Sequence, residues 1–254
     1  MNHNAEQRKV FYEIMAEDGH DNTVAVDHAL KRTFEGIKFD GARVLDVGSG
    51  RGLMTLYAAI NGASEIVSME PEMDGSSVGV FETQKKRAER LGLDNIVFLA
   101  EDFNSWQNPG EKFDVILCMA CINHLHEVEH NALKHKPTYD QFSEIAQQFR
   151  QLLKPNGVVV FTDAARYGLF WMLKDVGIRR PWRTRKSSIN WRIHQNPTVW
   201  KKIFLENGFS QGTIVYPLPY RLRWLGPLIA NPISNFCLKA TFAVQCHAGE
   251  NRTK

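Results

Sequence analysis

The chain has 254 residues, 43% of them hydrophobic, and a formal net charge of +3. That length and apolar content suit one sizeable core carrying added segments. A charge of +3 is too small to imply a nucleic-acid partner by itself, and no run approaches the ~18 apolar residues a membrane span needs.

Met1 to Lys9 is polar and shows no apolar secretory stretch, so the expected compartment is the cytoplasm. Residues 5 to 17 carry Val10, Phe11, Ile14 and Met15 at helical spacing. Asp21, Asn22 and Thr23 offer an N-cap for a second helix running through Phe34. Both helices read as packing elements, an N-terminal cover over residues 1–40, with the loop at 17–21 placed to reach an active-site mouth.

The stretch Val44-Leu45-Asp46-Val47-Gly48-Ser49-Gly50-Arg51-Gly52 organises the rest of the chain. Val44, Leu45 and Val47 read as a buried strand. The glycines let the backbone turn tightly and approach a ligand without a Cβ in the way. Leu53 to Ile60 then opens a helix, giving the strand–loop–helix entry of a nucleotide-binding unit. A dinucleotide fingerprint would place its third glycine at 53, where this chain has Leu53. Asp46, just ahead of the first glycine, would repel a pyrophosphate and attract an ammonium group.

Ile66 to Glu70 reads as the second strand, with Glu70 at its carboxyl end and Pro71 next. An acid roughly 20 residues past the glycines can accept from both ribose hydroxyls. After the second strand, Asp74 to Leu93 reads as a helix with a solvated charged face. Asn95 to Ala100 reads as the third strand, followed by Glu101, Asp102 and Phe103. Asp102 there can accept from an adenine amino group, with Phe103 lying against the ring.

Across positions 42 to 163 this pattern resembles the class I S-adenosylmethionine-dependent methyltransferases. The resemblance implies S-adenosylmethionine as cofactor and a Rossmann-like, open, mostly parallel seven-stranded α/β sheet with helices on both faces. It also implies a cofactor core over 41–165, a flap or lid over 166–197, and completion of the sheet over 198–248. By that likeness Asp46, Gly48, Ser49, Gly50 and Gly52 would hold the methionine part, Glu70 with Pro71 the ribose, and Asp102 with Phe103 the adenine. Met119 and Ala120 would pass along the cofactor's methionine end.

Phe113 to Ala120, the fourth strand, is nearly all apolar and so covered on both faces. Cys118 and Cys121 belong to no disulfide framework and read as buried thiols. Thr138 to Leu153 is an amphipathic helix, with Pro155 and Gly157 as stop signals before a fifth strand at Val158 to Thr162. A further helix starts at Asn196-Pro197-Thr198, and Thr213–Tyr216 and Ala240–Cys246 read as the last strands.

Ligands of such sheets lie beyond the carboxyl ends of the strands. His124, just past strand four, is thus placed as a general base toward a substrate hydroxyl. His124, His126, His130 and His135 match no zinc spacing, and no metal is expected. The strand-four tip also lacks the acid that magnesium-dependent catechol methyltransferases would need. The insert holds a basic run, 179–186, with Trp182, and then Asn190-Trp191-Arg192-Ile193-His194-Gln195. Asn-Trp-x-x-His-Gln resembles a segment in some bacterial methyltransferases of small molecules and surface sugars, making His194 a second base candidate. A solvated loop and a flap for an anionic or glycan-like acceptor both fit the basic run. Tyr220 to Phe236, aromatic and basic, reads first as core packing, with a pocket cap, a dimer surface and a membrane-touching patch as alternatives.

The expected function is methyl transfer to a small-molecule acceptor, with a hydroxyl of a metabolite, sugar or natural product as the receiving group. The alternatives are an RNA or other nucleic-acid methyltransferase and a cofactor-binding module without turnover. The residues after strand four are not the tetrapeptide of amino-methylating nucleic-acid enzymes, and no Pro-Cys nucleophile pair occurs. The expected assembly is a monomer or homodimer.

Overall fold

A computed structural model describes residues 3–72, 78–108, 110–169, 172–173 and 190–249. Its strands are β1 (Arg43–Val47), β2 (Glu65–Met69), β3 (Ile96–Leu99), β4 (Phe113–Met119), β5 (Leu153–Ala164), β6 (Phe209–Val215) and β7 (Thr241–Ala248). They form one sheet in the order β3-β2-β1-β4-β5-β7-β6. The first five run parallel, while β7 is antiparallel to both β5 and β6. The chain leaves β1 toward β2 on one side and returns to β4 on the other. This reversal opens a crevice at the carboxyl ends of β1 and β4.

The apolar character of β4 and β5 follows from two covered faces. Side chains alternate along a strand, so Ile116 and Cys118 of β4 enter one core and Val115 and Leu117 the other, while Phe113, beyond the irregularity between Phe113 and Val115, joins the first. The first core lies under α5 (Lys136–Leu152) and α6 (Pro197–Glu206). There α5 presents Phe142, Ile145, Ala146 and Phe149, spaced for one helix face. Trp200 of α6 is fully buried, its ring 4.7 Å from Phe142, so Trp200→Ala would remove about 3–5 kcal/mol of stability. The second core lies under α1 (His3–Glu17), α2 (Thr23–Thr33), α3 (Leu53–Ile60) and α4 (Val80–Leu91). Asn22 caps α2 by accepting from the Ala25 N–H, as its position in the sequence suggests.

Several expectations change on contact with the fold. The described part of α4 begins at Val80, and 74–77 of the expected helix lie outside the described residues. Pro155 and Gly157 do not separate α5 from β5: the strand starts at Leu153 and runs through them. Its register against β4 shifts between Phe113 and Val115, and Asn156 sits at φ 61°, so the turn residues make an irregularity inside the strand. The sulfurs of Cys118 and Cys121 are in contact as a bonded pair, rather than two separate thiols. Core packing fails for 220–236, where Trp224 and Ile233 are 75% and 78% exposed. That segment forms a 3-10 stretch (Tyr220–Leu228) and α7 (Pro232–Leu238) outside the sheet layers.

Candidate active site

β1 delivers its acid into the interior. Asp46 is 1% exposed, and its Oδ2 accepts from Thr55 Oγ1 of α3 at 2.7 Å. Thr55 also meets Ser68 Oγ at 3.2 Å, Ser68 donates to Gln84 Oε1 at 2.7 Å, and Gln84 Nε2 donates to Ser49 Oγ at 3.0 Å and to the Gly50 carbonyl at 2.6 Å. A chain of buried polar groups therefore runs from Asp46 to the loop above it. Burial raises the Asp46 carboxyl to about 7, against the hydrogen bonds from Thr55, with Glu70 adding to the rise.

The loop is held in an open curve. Gly48, Gly50 and Gly52 sit at φ 65°, 51° and 80°, in the left-handed region that glycine tolerates. A Cβ at Gly52 would come within 2.7 Å of Gln84 Cγ, whereas one at Gly50 would meet nothing within 4 Å. The loop thus has a filled inner side and open space outside. Glu70, at the tip of β2, accepts from the Gly50 N–H at 2.9 Å, which puts a carboxylate at the rim of that space. Pro71 is next in the chain, half-buried. These features fit a cradle for a nucleoside with a cationic tail.

Asp102 lies past β3 with its Oδ1 accepting from the Asn104 N–H at 2.8 Å, so it shapes the turn that follows the strand. Phe103 departs from its expected place. Its ring is buried and packs 4.7 Å from Phe149, so it belongs to the core and offers no face to a ligand.

Two latches that no sequence motif announces secure the loop to α1 and α4. Asp18 Oδ1 lies 2.8 Å from Arg51 and 2.7 Å from Arg87, and Arg87 also donates to the Arg51 carbonyl at 2.9 Å. Partial burial would raise the Asp18 carboxyl, but the Arg87 hydrogen bond and the two guanidinium charges hold it below the usual range. The second latch is Gln84. Each side chain is legible as a latch only once α4 is laid beside the loop.

Beside the loop are two adjoining cavities. One, about 620 Å³, lies between the Gly19–Asn22 turn, Leu53, Met54 and Met119. The other, about 760 Å³, is bounded by Ala120, His124, His194, Tyr216 and Phe242. Ala25, Ala29, Thr33 and Thr162 line both, so they form a shared wall. Met119 and Ala120 close β4 between the two, with the Ala120 N–H on the Thr162 carbonyl at 2.7 Å.

His124 ends a 3-10 turn (Ile122–His124), its ring half-exposed and its Nδ1 3.0 Å from Glu127 Oε1. A carboxylate only accepts, so Nδ1 carries the proton and Nε2 is the basic nitrogen. The His194 ring stands edge-on to that of His124, centroids 5.8 Å apart. His194 is buried, with Nδ1 3.0 Å from the Asn190 carbonyl and Nε2 3.5 Å from Asp163 Oδ1. Burial lowers its pKa below the usual histidine value, while Asp163 pulls the other way. Asp163 also accepts from the Asn123 N–H at 3.2 Å, tying the tips of β4 and β5. Glu127 and Asp163 are partners that sequence alone does not single out.

The other sequence candidates divide. Gln195 is structural: it accepts from the Ala132 N–H at 3.1 Å and donates to the His130 carbonyl at 2.8 Å. His135 caps α5 through Thr138. Among the described residues no group of metal-binding side chains forms. The basic run 179–186 and Trp182 lie outside the described residues.

A family model described as a methyltransferase domain matches residues 18–210. A ubiquinone biosynthesis O-methyltransferase of Actinobacillus pleuropneumoniae is 34% identical over 142 residues, covering 54% of this chain and 52% of the relative. One of the same name from Pasteurella multocida is 32% identical over 145 residues, again covering 54% and 52%. The matches thus span about half the length of these curated relatives. A crystal structure of an S-adenosylmethionine-dependent methyltransferase from Mesorhizobium loti superposes with a TM-score of 0.55 at 15% identity, covering 83% of this chain and 92% of that one.

Proposed function

The chain belongs to the class I S-adenosylmethionine-dependent methyltransferases, and we propose that it methylates a hydroxyl of a small molecule seated in the 760 Å³ cavity. The observation that carries this reading is the shared wall. The cradle side and the histidine-lined cavity meet at Ala25, Ala29, Thr33 and Thr162, with the tip of β4 between them. Alignment of two reactants across one wall is what such a transfer needs from a protein.

In this reading Glu70 holds the ribose, Asp102 the adenine edge, and the Gly48–Gly52 loop the methionine part, with Asp46 fixing the loop from beneath. When bound, the cofactor supplies an already activated methyl group on a sulfonium. The protein's own work is placement and proton removal. His124 Nε2 takes the acceptor's hydroxyl proton, and Glu127 on Nδ1 orients the ring and stabilises the imidazolium that forms. His194, its ring nitrogens turned to the Asn190 carbonyl and Asp163, lines the same cavity wall. The name O-methyltransferase on the relatives supports oxygen as the receiving atom. Tyr216, Tyr220 and Phe242 suit a flat apolar body, and Arg32 and Lys239 suit an anionic substituent on it.

The test is labelled methyl transfer into a whole-cell extract containing both RNA and small molecules, with mass analysis of the products, repeated with His124→Ala. Label in an ether oxygen, lost in the variant, is the expected result. Label recovered only in RNA would overturn the reading.

A further inference from the structure

The segment 220–239 is folded, packs on α2, and leaves much of its apolar surface uncovered. Tyr220 anchors it on α2, its ring 5.7 Å from that of His28. Beyond that anchor Trp224, Leu228 and Ile233 are 75%, 75% and 78% exposed, and Leu238 is 51% exposed. Four large apolar side chains facing water within 15 residues of sequence exceed the scattered exposure ordinary surfaces show.

The charge within the segment has one sign. Arg221, Arg223 and Lys239 are exposed, and none has an ion-pair partner among the described residues. Arg223 instead lies over the Tyr220 ring at 4.1 Å. From Asn207 to Gly249 the sequence contains no Asp or Glu at all. A protein partner with an apolar groove would satisfy the tryptophan and isoleucine. The exposed Arg221, Arg223 and Lys239 in this acid-free stretch narrow the partner to a surface that is negative outside and apolar just beneath. Tryptophan and arginine side by side suit that boundary, the ring at headgroup depth and the guanidinium on phosphate.

We propose that residues 220–239 form a peripheral docking face for an anionic lipid bilayer. No helix among the described residues is long and apolar enough to cross a membrane, so the contact is interfacial. Tyr220 and Lys239, at the two ends of the segment, also line the 760 Å³ cavity. Docking would therefore bring the cavity rim to the headgroups. That last step rests on the acceptor-cavity reading, but the face itself does not.

The test is co-sedimentation of the full chain with vesicles of phosphatidylglycerol and phosphatidylcholine, beside vesicles of phosphatidylcholine alone. The chain should pellet with the anionic vesicles and be released by raised salt, since exposed charges are screened beyond about 3 Å at 1 M. Trp224→Ser with Ile233→Ser should lower the bound fraction about tenfold, and Arg221→Gln with Arg223→Gln should lower it separately. Calorimetric binding of S-adenosylmethionine by the same variants checks that they fold, and a failure there alone concerns the methyltransferase site. Vesicle binding that survives both variant pairs would overturn the proposal, as would a wild-type chain that stays in the supernatant. A wild-type dimer that the Trp224→Ser, Ile233→Ser chain loses on ultracentrifugation would instead make this face a self-interface and likewise overturn it.

Discussion

Gln84 donates its side-chain N–H to the Gly50 carbonyl at 2.6 Å, and Glu70 accepts from the N–H of that same glycine at 2.9 Å. One peptide unit on each side of Gly50 is therefore clamped, by α4 from within and by the tip of β2 from the rim. The loop's shape is set by neighbours far away in sequence, with the glycines supplying only the permission to adopt it.

Removing either clamp should loosen cofactor binding. Glu70→Ala loses a charge-assisted hydrogen bond to Gly50 along with its ribose acceptor, worth about 1.5–3 kcal/mol. That corresponds to roughly a ten- to hundredfold weaker dissociation constant. Gln84→Ala should weaken binding in the same direction and also lower the melting temperature, because it leaves Ser68 and the Gly50 carbonyl short of a buried partner. Isothermal calorimetry beside thermal unfolding separates the two. Unchanged affinity in both variants would remove these residues from the cofactor site.

Gly52→Ala meets two obstacles. The left-handed backbone at φ 80° costs a Cβ-bearing residue about 1–2 kcal/mol, and the new methyl would stand 2.7 Å from Gln84 Cγ. Gln84 is itself buried and bonded on three sides, so it has nowhere to swing. The denaturation midpoint should fall in Gly52→Ala, and the same glycine change made in a Gln84→Ala chain should lower that chain's midpoint by less, but still lower it. No further loss in the Gln84→Ala chain would mean that the contact alone, and not the backbone, makes glycine necessary there.

The strand–loop–helix framework of the candidate site was legible in sequence because its parts are local: an acid, three glycines and a helix start fall within ten residues, and Glu70 follows the next strand. The succession of strands and helices came from periodicity and from the apolar runs that two-sided burial demands, and the mostly parallel seven-stranded sheet from the family resemblance. What escaped was whatever depends on packing. Phe103 stands after a promising acid, yet its neighbour Phe149 comes from α5 and claims the ring. Glu127 and Asp163 gain meaning only when the tips of β4 and β5 are set side by side. Asp18 and Gln84 reach the loop across 33 and 34 residues of chain. Pro155 misled because turn residues also occur where a strand bends out of register.

Asp46 should write its burial into the pH dependence of stability. Its carboxyl rises from 3.8 to about 7 on folding, so the folded state holds the proton more tightly than the unfolded one. Between those values the folded chain carries the extra proton, and stability falls as pH rises, by up to about 1.4 kcal/mol per unit, then levels off near 7. Asp46→Asn, which cannot ionise, should lack this component. Urea midpoints of the two chains across about pH 3 to 8, a window that brackets the shift, give the comparison. Parallel curves would show that Asp46 is not desolvated as the structure has it.

The two histidines face one cavity but sit in opposite settings, and that difference makes their roles separable. His124 is half-exposed and backed by Glu127, so an acceptor can reach its Nε2 directly. Deleting a general base lowers turnover by about 10²–10⁴; His124→Ala should lie in that range with cofactor affinity unchanged. Glu127→Gln should give a smaller loss, since the amide still accepts from Nδ1–H but no longer balances the imidazolium. His194 is buried and its pKa is held down, so it is neutral at pH 7 and would govern an acid limb below 6.5. If His124 is the base, His194→Ala should leave the acid limb of the pH–rate profile where it was, while His124→Ala abolishes it. The reverse pattern would move the base to His194 and leave His124 as its lid. His194 also ties stability to pH. Its folded pKa lies below 6.5, so stability is gained as pH rises toward 6.5 and lost as it falls through the folded value. His194→Gln should flatten that acid-side loss, whichever histidine takes the proton.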